Sequence, residues 1–327
     1  GFADIEIIDD DTPGVNVTPI SGNTTEAGGT ATFTVTLDSE PTAPVTMDLT
    51  SNTPVEGTVP VDVTIPPADW NTGVVVTVTG VDDTAVDGDV DYIIITGNVT
   101  SPDLNYNAIG GGAIPNIQVT NEDDDTFTVT IVATDDTASE AGTSDNGLFT
   151  LDLGAQNLTG SPVLVTFNRA GSSATHATDY AAIGTSVAVP NGDQTVGIVI
   201  NPTPDNAVEG TETVTLNLTA SALYTIGGSS SATVNILDND SFTASITATD
   251  ANSTEASSTN NGTFTVDVGS VNETGSPIVV NFTRDGTATH VTDYANIGTS
   301  VSIADGDQTN TITINPNVAN ITIIPKI

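Results

Sequence analysis

The residues of this 327-residue chain that could do chemistry are almost all carboxylates. Asp and Glu number 42, against three Lys and Arg, two His and no Cys. Asp outnumbers Glu about three to one. The acids recur at three kinds of place: a Glu that opens a first strand, an Asp in a middle loop, and an acidic junction with the loop that faces it. The junctions read Ile8-Asp9-Asp10-Asp11-Thr12, Glu122-Asp123-Asp124-Asp125-Thr126 and Leu237-Asp238-Asn239-Asp240-Ser241. Short carboxylates on turns are what a Ca²⁺ shell of six to eight oxygens needs. Mg²⁺ seldom uses an all-protein cage and fits less well. Zn²⁺ fits worse still, without Cys and with so few His. The only bases, Arg169, Arg284 and Lys326, cannot pair so many acids, which would repel one another across a compact surface. Either the surface is uniformly acidic, as in a halophile, or a cation sits where acids cluster. The clustering favours the second.

The same balance excludes other classes. A net charge of -39 leaves nothing to neutralise phosphates, so no nucleic-acid surface is expected, nor docking on anionic lipid. Without Cys there are no disulfides, zinc-thiolate sites or thiol catalysis. No stretch of about 18 apolar residues occurs, so no membrane insertion is expected. There is no G-x-S-x-G, H-E-x-x-H or Walker loop. The carboxylate pairs lie at junctions rather than in a cleft, which glycoside hydrolysis would need. The chain is therefore not expected to be an enzyme. Asp87-Gly88-Asp89-Val90-Asp91 starts like an EF-hand loop but lacks its sixth-position Gly and twelfth-position Glu.

The elements that must position these acids are strands. Asp, Thr, Asn, Gly and Val dominate; Thr and Val suit pleated strands, and Asp, Asn and Gly suit turns. Apolar residues alternate at Ala31 to Leu37, Val74 to Val78, Val163 to Phe167, Val196 to Ile200 and Val214 to Leu218. That period of two fits antiparallel sheets with one solvated face. Asn191-Gly192-Asp193 and Asp305-Gly306-Asp307 carry the turn residues of hairpins. The chain also repeats: the stretches from Thr126 and Gly160 return from Ser241 and Gly275, an offset of 115 residues. That is too long for a solenoid unit of about 50 residues and suits a self-contained sandwich of about 100. Boundaries fall at the acidic junctions: a tail of a preceding repeat at 1–12, then units 13–125, 126–240 and 241–327. The third unit, which closes on Ile321-Thr322-Ile323-Ile324-Pro325-Lys326-Ile327, is expected to be incomplete at its C-terminal end. Gly1 to Asp11 does not read as a signal peptide, and the chain is expected to be a stretch of something longer.

Four pieces of the second unit occur together: Ser139-Glu140-Ala141-Gly142, Thr178-Asp179-Tyr180, Asp205-Asn206-Ala207-Val208-Glu209-Gly210-Thr211-Glu212 and Ile236-Leu237-Asp238-Asn239-Asp240. The combination resembles the Calx-beta domain. The likeness spans the second unit and runs through the third to Pro316, with Glu255 and Thr292-Asp293-Tyr294. The first unit is similar to a bacterial variant found in tandem in large surface proteins; it lacks the Thr-Asp-Tyr element and carries Ala68-Asp69-Trp70-Asn71 elsewhere. The resemblance implies tandem immunoglobulin-like antiparallel β-sandwiches, an all-β fold in an elongated rod. It implies Ca²⁺ at the sandwich end near the next domain. The ligands so implied are Glu140, Asp179, Asp205, Glu209, Asp238 and Asp240 in the second unit. In the first they are Glu26, Asp83, Asp87, Asp123 and Asp125, with the middle-loop Asp missing. In the third only Glu255 and Asp293 remain. Asn206 and Asn239 stand where relatives often have Asp.

The remaining residues with chemistry read as structural. His176 and His290 lie at equivalent loop positions in different units. Arg169 and Arg284 are expected to pair with a local carboxylate. Tyr180 and Tyr294 suit a sandwich corner, and Trp70 suits packing at a hairpin. Sequons such as Asn157-Leu158-Thr159 and Asn272-Glu273-Thr274 are expected by chance in so Thr- and Asn-rich a chain. The expectation is a stalk or filament segment of an extracellular bacterial surface protein, stiffened by Ca²⁺ between neighbouring repeats. Any host or surface glycan or protein would then be reached through other regions. The alternative is an adhesive or carbohydrate-binding module using loops at the sandwich end.

Overall fold

Among the described residues, the alternation of buried and exposed residues along each strand builds three separate hydrophobic cores. The structure, a computed structural model, describes residues 12–107, 109–141, 145–255 and 259–318. The tail residues 1–11 and the closing residues 319–327 lie outside the described residues. One core gathers Phe33, Val35, Met47, Val78, Tyr92 and Ile94 among others. A second gathers Phe149, Leu151, Val165, Tyr180, Leu216 and Val234. A smaller third holds Val266, Val268, Ile303 and Ile312.

The second unit shows the architecture completely. One sheet runs Thr195–Ile200, Gly147–Asp152, Phe127–Asp135, Tyr224–Ile226. The other runs Thr137–Ser139, Ser231–Leu237, Glu212–Leu218, Val163–Asn168, Ser186–Val189. The two inner faces enclose the core, so the unit is an immunoglobulin-like β-sandwich. The first unit repeats the plan, with Val15–Val17, Thr30–Leu37, Val74–Gly80 and Gly57–Thr58 against Thr24–Thr25, Ile117–Glu122, Val90–Thr100, Val45–Ser51 and Asp62–Ile65. Among the described residues of the third, one sheet has Ser245–Asp250, Gly262–Asp267 and Thr309–Ile314, and Ile278–Asn281 pairs with Ser300–Ile303. Within them nothing corresponds to Glu212–Leu218, Tyr224–Ile226 or Ser231–Leu237. Accordingly Ser245–Asp250 is exposed along its whole length.

One detail of the opening strand places the acids. Register slips between Ala133 and Asp135, and the chain then crosses to the other sheet as Thr137–Ser139. There it runs parallel to the last strand, with Ser139 opposite Leu237. Thr24–Thr25 runs parallel to the last strand of the first unit in the same way, with Thr25 opposite Glu122. The Glu that follows each crossing therefore meets the acidic junction that follows each last strand.

The turns at Asn191-Gly192-Asp193 and Asp305-Gly306-Asp307 do not close hairpins. Ser186–Val189 pairs with Val163–Asn168, whereas Thr195–Ile200 pairs with Gly147–Asp152, so the intervening turn passes from one sheet to the other. The glycines do meet the expectation of a tight turn, with positive φ of 92° at Gly192 and 83° at Gly306. Turn composition reports backbone conformation, not which strands pair.

Phe149 is fully buried in the second core. Phe149→Ala is expected to cost about 3–5 kcal/mol and to lower the melting transition of the second unit while leaving that of the first in place. Differential scanning calorimetry would check this.

Candidate metal centres

In the second unit Glu140 is 3% exposed, although a carboxylate is seldom fully buried without a partner. Its backbone N–H donates to Leu237 O at 3.1 Å, fixing it at the mouth of the junction. Oxygens of Glu140, Asp205 and Asp240 lie within 4.8 Å of one another. Asp205 belongs to the loop that follows Thr195–Ile200, and its Oδ1 accepts from Ala207 N at 2.7 Å. Asp238 ties the two loops together: its oxygens accept from Glu209 N at 2.8 Å and from Asp240 N at 2.7 Å. Asp179 accepts from Thr175 N and bears on Glu140, Glu209 and Glu212 by its charge.

The first unit builds the same arrangement. Glu26 is 2% exposed and its N–H donates to Glu122 O at 3.0 Å. Oxygens of Glu26, Asp123 and Asp125 converge within 4.8 Å, as do those of Glu26, Asp82 and Asp124. Asp123 accepts from Gly88 N and from Asp125 N, both at 2.8 Å. A further group joins Glu56 to Asp83 and Asp87.

The middle loop of the first unit, where the expected Asp is missing, carries Glu56 instead. It lies between Val45–Ser51 and Asp62–Ile65, as Asp179 lies between Val163–Asn168 and Ser186–Val189. Gly57 lets it sit there, because a Cβ at that position would meet the Tyr92 ring at 2.2 Å. The sequence hides it because no Thr-Asp-Tyr element announces the loop. Asp69 sits instead in the Pro67–Asp69 turn. Glu212, at the end of the acidic run and close enough to feel the Asp179 charge, is another residue the sequence reading missed, as are Asp82 and Asp124. In the third unit Glu255 is exposed and Asp293 accepts from Thr289 N at 2.6 Å. Among the described residues they join no group of three acids.

Several carboxylate oxygens are buried and accept no hydrogen bond: Glu26 Oε2, Asp87 Oδ1 and Asp125 Oδ2 in the first unit, Glu140 Oε2, Glu212 Oε2 and Asp240 Oδ2 in the second. Such groups are costly unless a cation or proton completes them. Burial, and then the Asp205 charge, push Glu140 up to about 7. Burial, and then Asp123, push Glu26 to about 7. Burial and Glu212 push Glu209 to about 8, and burial and Asp179 push Glu212 to about 7. Glu56, Asp87 and Asp125 are also raised, each first by burial. A hard divalent cation removes both causes, since it supplies charge and accepts oxygen ligands. The all-oxygen donor set fits Ca²⁺.

A pH dependence follows with a definite sign. These carboxyls bind protons more tightly when folded than when unfolded, so in chelator the stability they contribute is present below about pH 4.5 and lost as pH rises through about 7 to 8. The chelated protein is expected to melt several degrees higher at pH 5 than at pH 8. With Ca²⁺ the order reverses, because protons then compete with the ion. Melting curves across this range check both signs.

Among the described residues the two arginines are bonded to groups other than carboxylates. Arg169 Nη1 donates to Gly184 O at 2.8 Å, and His176 Nε2 accepts from Ile183 N at 3.0 Å. Arg284 is hydrogen-bonded to His290. The expected carboxylate pairing gives way in Arg169 because the nearby loop carbonyls need donors, and in Arg284 to the His290 ring.

Acid-ended immunoglobulin-like sandwiches in tandem define the class of protein. The chain belongs to the Calx-beta domain family, whose model matches residues 122–240 and 244–322. Among solved structures, the chain is similar to CBD12 of CALX1.2, at 18% identity over 60% of this chain and 77% of that one, with a TM-score of 0.29. It is also similar to the calcium binding domain CBD12 of CALX1.1, at 18% identity over 57% and 75%, with a TM-score of 0.29. A third is the apo-form Calx CBD1 domain, at 18% identity over 35% and 99%, with a TM-score of 0.28. No curated protein matches the sequence.

Proposed function

We propose that this chain is a structural segment of an extracellular bacterial surface protein, a stalk or filament in which Ca²⁺ at the ends of the units stiffens the joints. The units are taken as 13–125, 126–240 and 241–327, after the tail at 1–12. The reading rests on one observation above all: unpartnered buried carboxylate oxygens gather at the end of a unit where its acidic loop touches the next unit. Without an ion these acids repel; with Ca²⁺ the loops and junction become one body. The role is mechanical, not enzymatic, and its partners are calcium and the neighbouring repeats. A surface glycan or protein would be bound through other regions.

Small-angle scattering of the full chain tests this. In Ca²⁺ the maximum dimension is expected to be sharply defined, and in chelator the profile is expected to become that of a flexible string. Identical profiles would remove the stiffening role. A glycan array separates the adhesive alternative, since tight selective binding by this chain would favour loops at the sandwich end as a recognition site.

A further inference from the structure

The acidic loop of each complete unit has a second edge that meets the following unit, and the two meetings match. In one, Val86 bridges Asn157 in parallel and Leu158 N donates to Val86 O at 3.2 Å. In the other, Val208 and Glu209 pair in parallel with Asn272 and Glu273, and Val208 N donates to Val271 O at 3.3 Å. Val86 is counted in the core of the second unit although it belongs to a loop of the first.

The receiving turns read Asn157-Leu158-Thr159-Gly160-Ser161-Pro162 and Asn272-Glu273-Thr274-Gly275-Ser276-Pro277. Both asparagines are 0% exposed. Asn157 Nδ2 donates to Ser161 O at 2.9 Å and Val189 O at 3.1 Å, and its Oδ1 accepts from Thr159 Oγ1 at 2.8 Å. Asn272 repeats this with Ser276, Ile303 and Thr274. The side chain thus locks the turn that presents the docking backbone. The sandwich itself does not demand this motif. The corresponding segment of the first unit, residues 38–44, has no Asn-x-Thr and is held by Tyr106 on Ser39 and Asp103 on Thr42. So buried an asparagine also makes a poor glycosylation acceptor.

We propose that Asn157 and Asn272 are positioning residues for the metal centre of the preceding unit. Each locks a turn that clamps the loop carrying Asp83 and Asp87, or Asp205 and Glu209, in the conformation that presents those carboxylates. This rests on the calcium reading above. Linkage then makes the effect mutual: docking raises the affinity of the preceding centre, and the ion tightens docking by the same factor.

The test is a Ca²⁺ titration of the full chain followed by NMR at single amides, Gly88 and Asp125 reporting the first centre, Glu209 and Asp240 the second. Asn157→Ala is expected to weaken the first centre about fivefold or more and to leave the second, in its own unit, unchanged. Asn272→Ala is expected to weaken the second and spare the first. Val86→Ala leaves the Asn157 turn intact and removes the side chain that the loop of the first unit places in the core of the second; it is expected to reproduce the Asn157→Ala effect, which separates docking from damage to the turn. No effect, or an effect confined to the mutated unit's own centre, overturns the proposal. If the wild type binds no Ca²⁺, the calcium reading and the coupling both fail. The docking role then stands only if the Leu158 and Val208 amides of the metal-free chain are protected from exchange and lose protection in the variants.

Discussion

Millimolar Ca²⁺ is expected to raise the melting temperature of the first and second units by about 10–20 °C over chelator. A ligand at about 1,000 times its dissociation constant stabilises the native state by ~4 kcal/mol, and oxygen-ligand sites of this kind commonly bind in the micromolar range. For units of this size each kcal/mol shifts the transition by roughly 3–5 °C. Matched Mg²⁺ is expected to do far less, because these carboxylates would have to strip its water shell. NaCl should produce only the modest gain of screening. The third unit joins no group of three acids among its described residues, so its transition should move least.

Glu140→Gln is expected to change sign with the metal. In chelator at pH 8 the substitution removes a charge that is buried, unpartnered at Oε2 and facing Asp205, Asp238 and Asp240. Relief of that charge should stabilise the second unit by roughly 1–3 kcal/mol. In Ca²⁺ the same change deletes an anionic ligand. A hundredfold loss of affinity, ~3 kcal/mol, should then lower the melting point of that unit below the wild type. A Glu that merely packs would not reverse sign between the two buffers. Chemical denaturation of wild type and variant in each buffer measures both values.

The repeats and strands were legible in the sequence because period and composition are local properties. Phe33, Val35 and Leu37 alternate with threonines and point to one core, as expected. The junction acids were legible too, since Asp123 with Asp125 and Asp238 with Asp240 recur at the same offset. Glu56 was not legible. It reaches its group because Gly57 fits against Tyr92, a contact between residues far apart in the chain. Glu212 was hidden in an acidic run whose individual members look alike until the strand Glu212–Leu218 fixes which way each points. The Asn191-Gly192-Asp193 turn misled about pairing because glycine dictates a backbone angle and not the partner of the strand that follows. The docking turns looked like chance sequons. What makes them joints is the pairing of Asn272-Glu273 with a loop of the unit before.

Isothermal titration of the chelator-stripped full chain with Ca²⁺ addresses the central claim most directly. Saturable binding with micromolar affinity is expected, with protons released near pH 7 as the ion displaces them from Glu26, Glu140 and Glu209. The combined variant Glu26→Gln with Glu140→Gln should abolish the tight phase. Heats that never saturate, or that NaCl reproduces at equal ionic strength, would contradict the account and leave an acidic sandwich whose joints are held by backbone pairing alone.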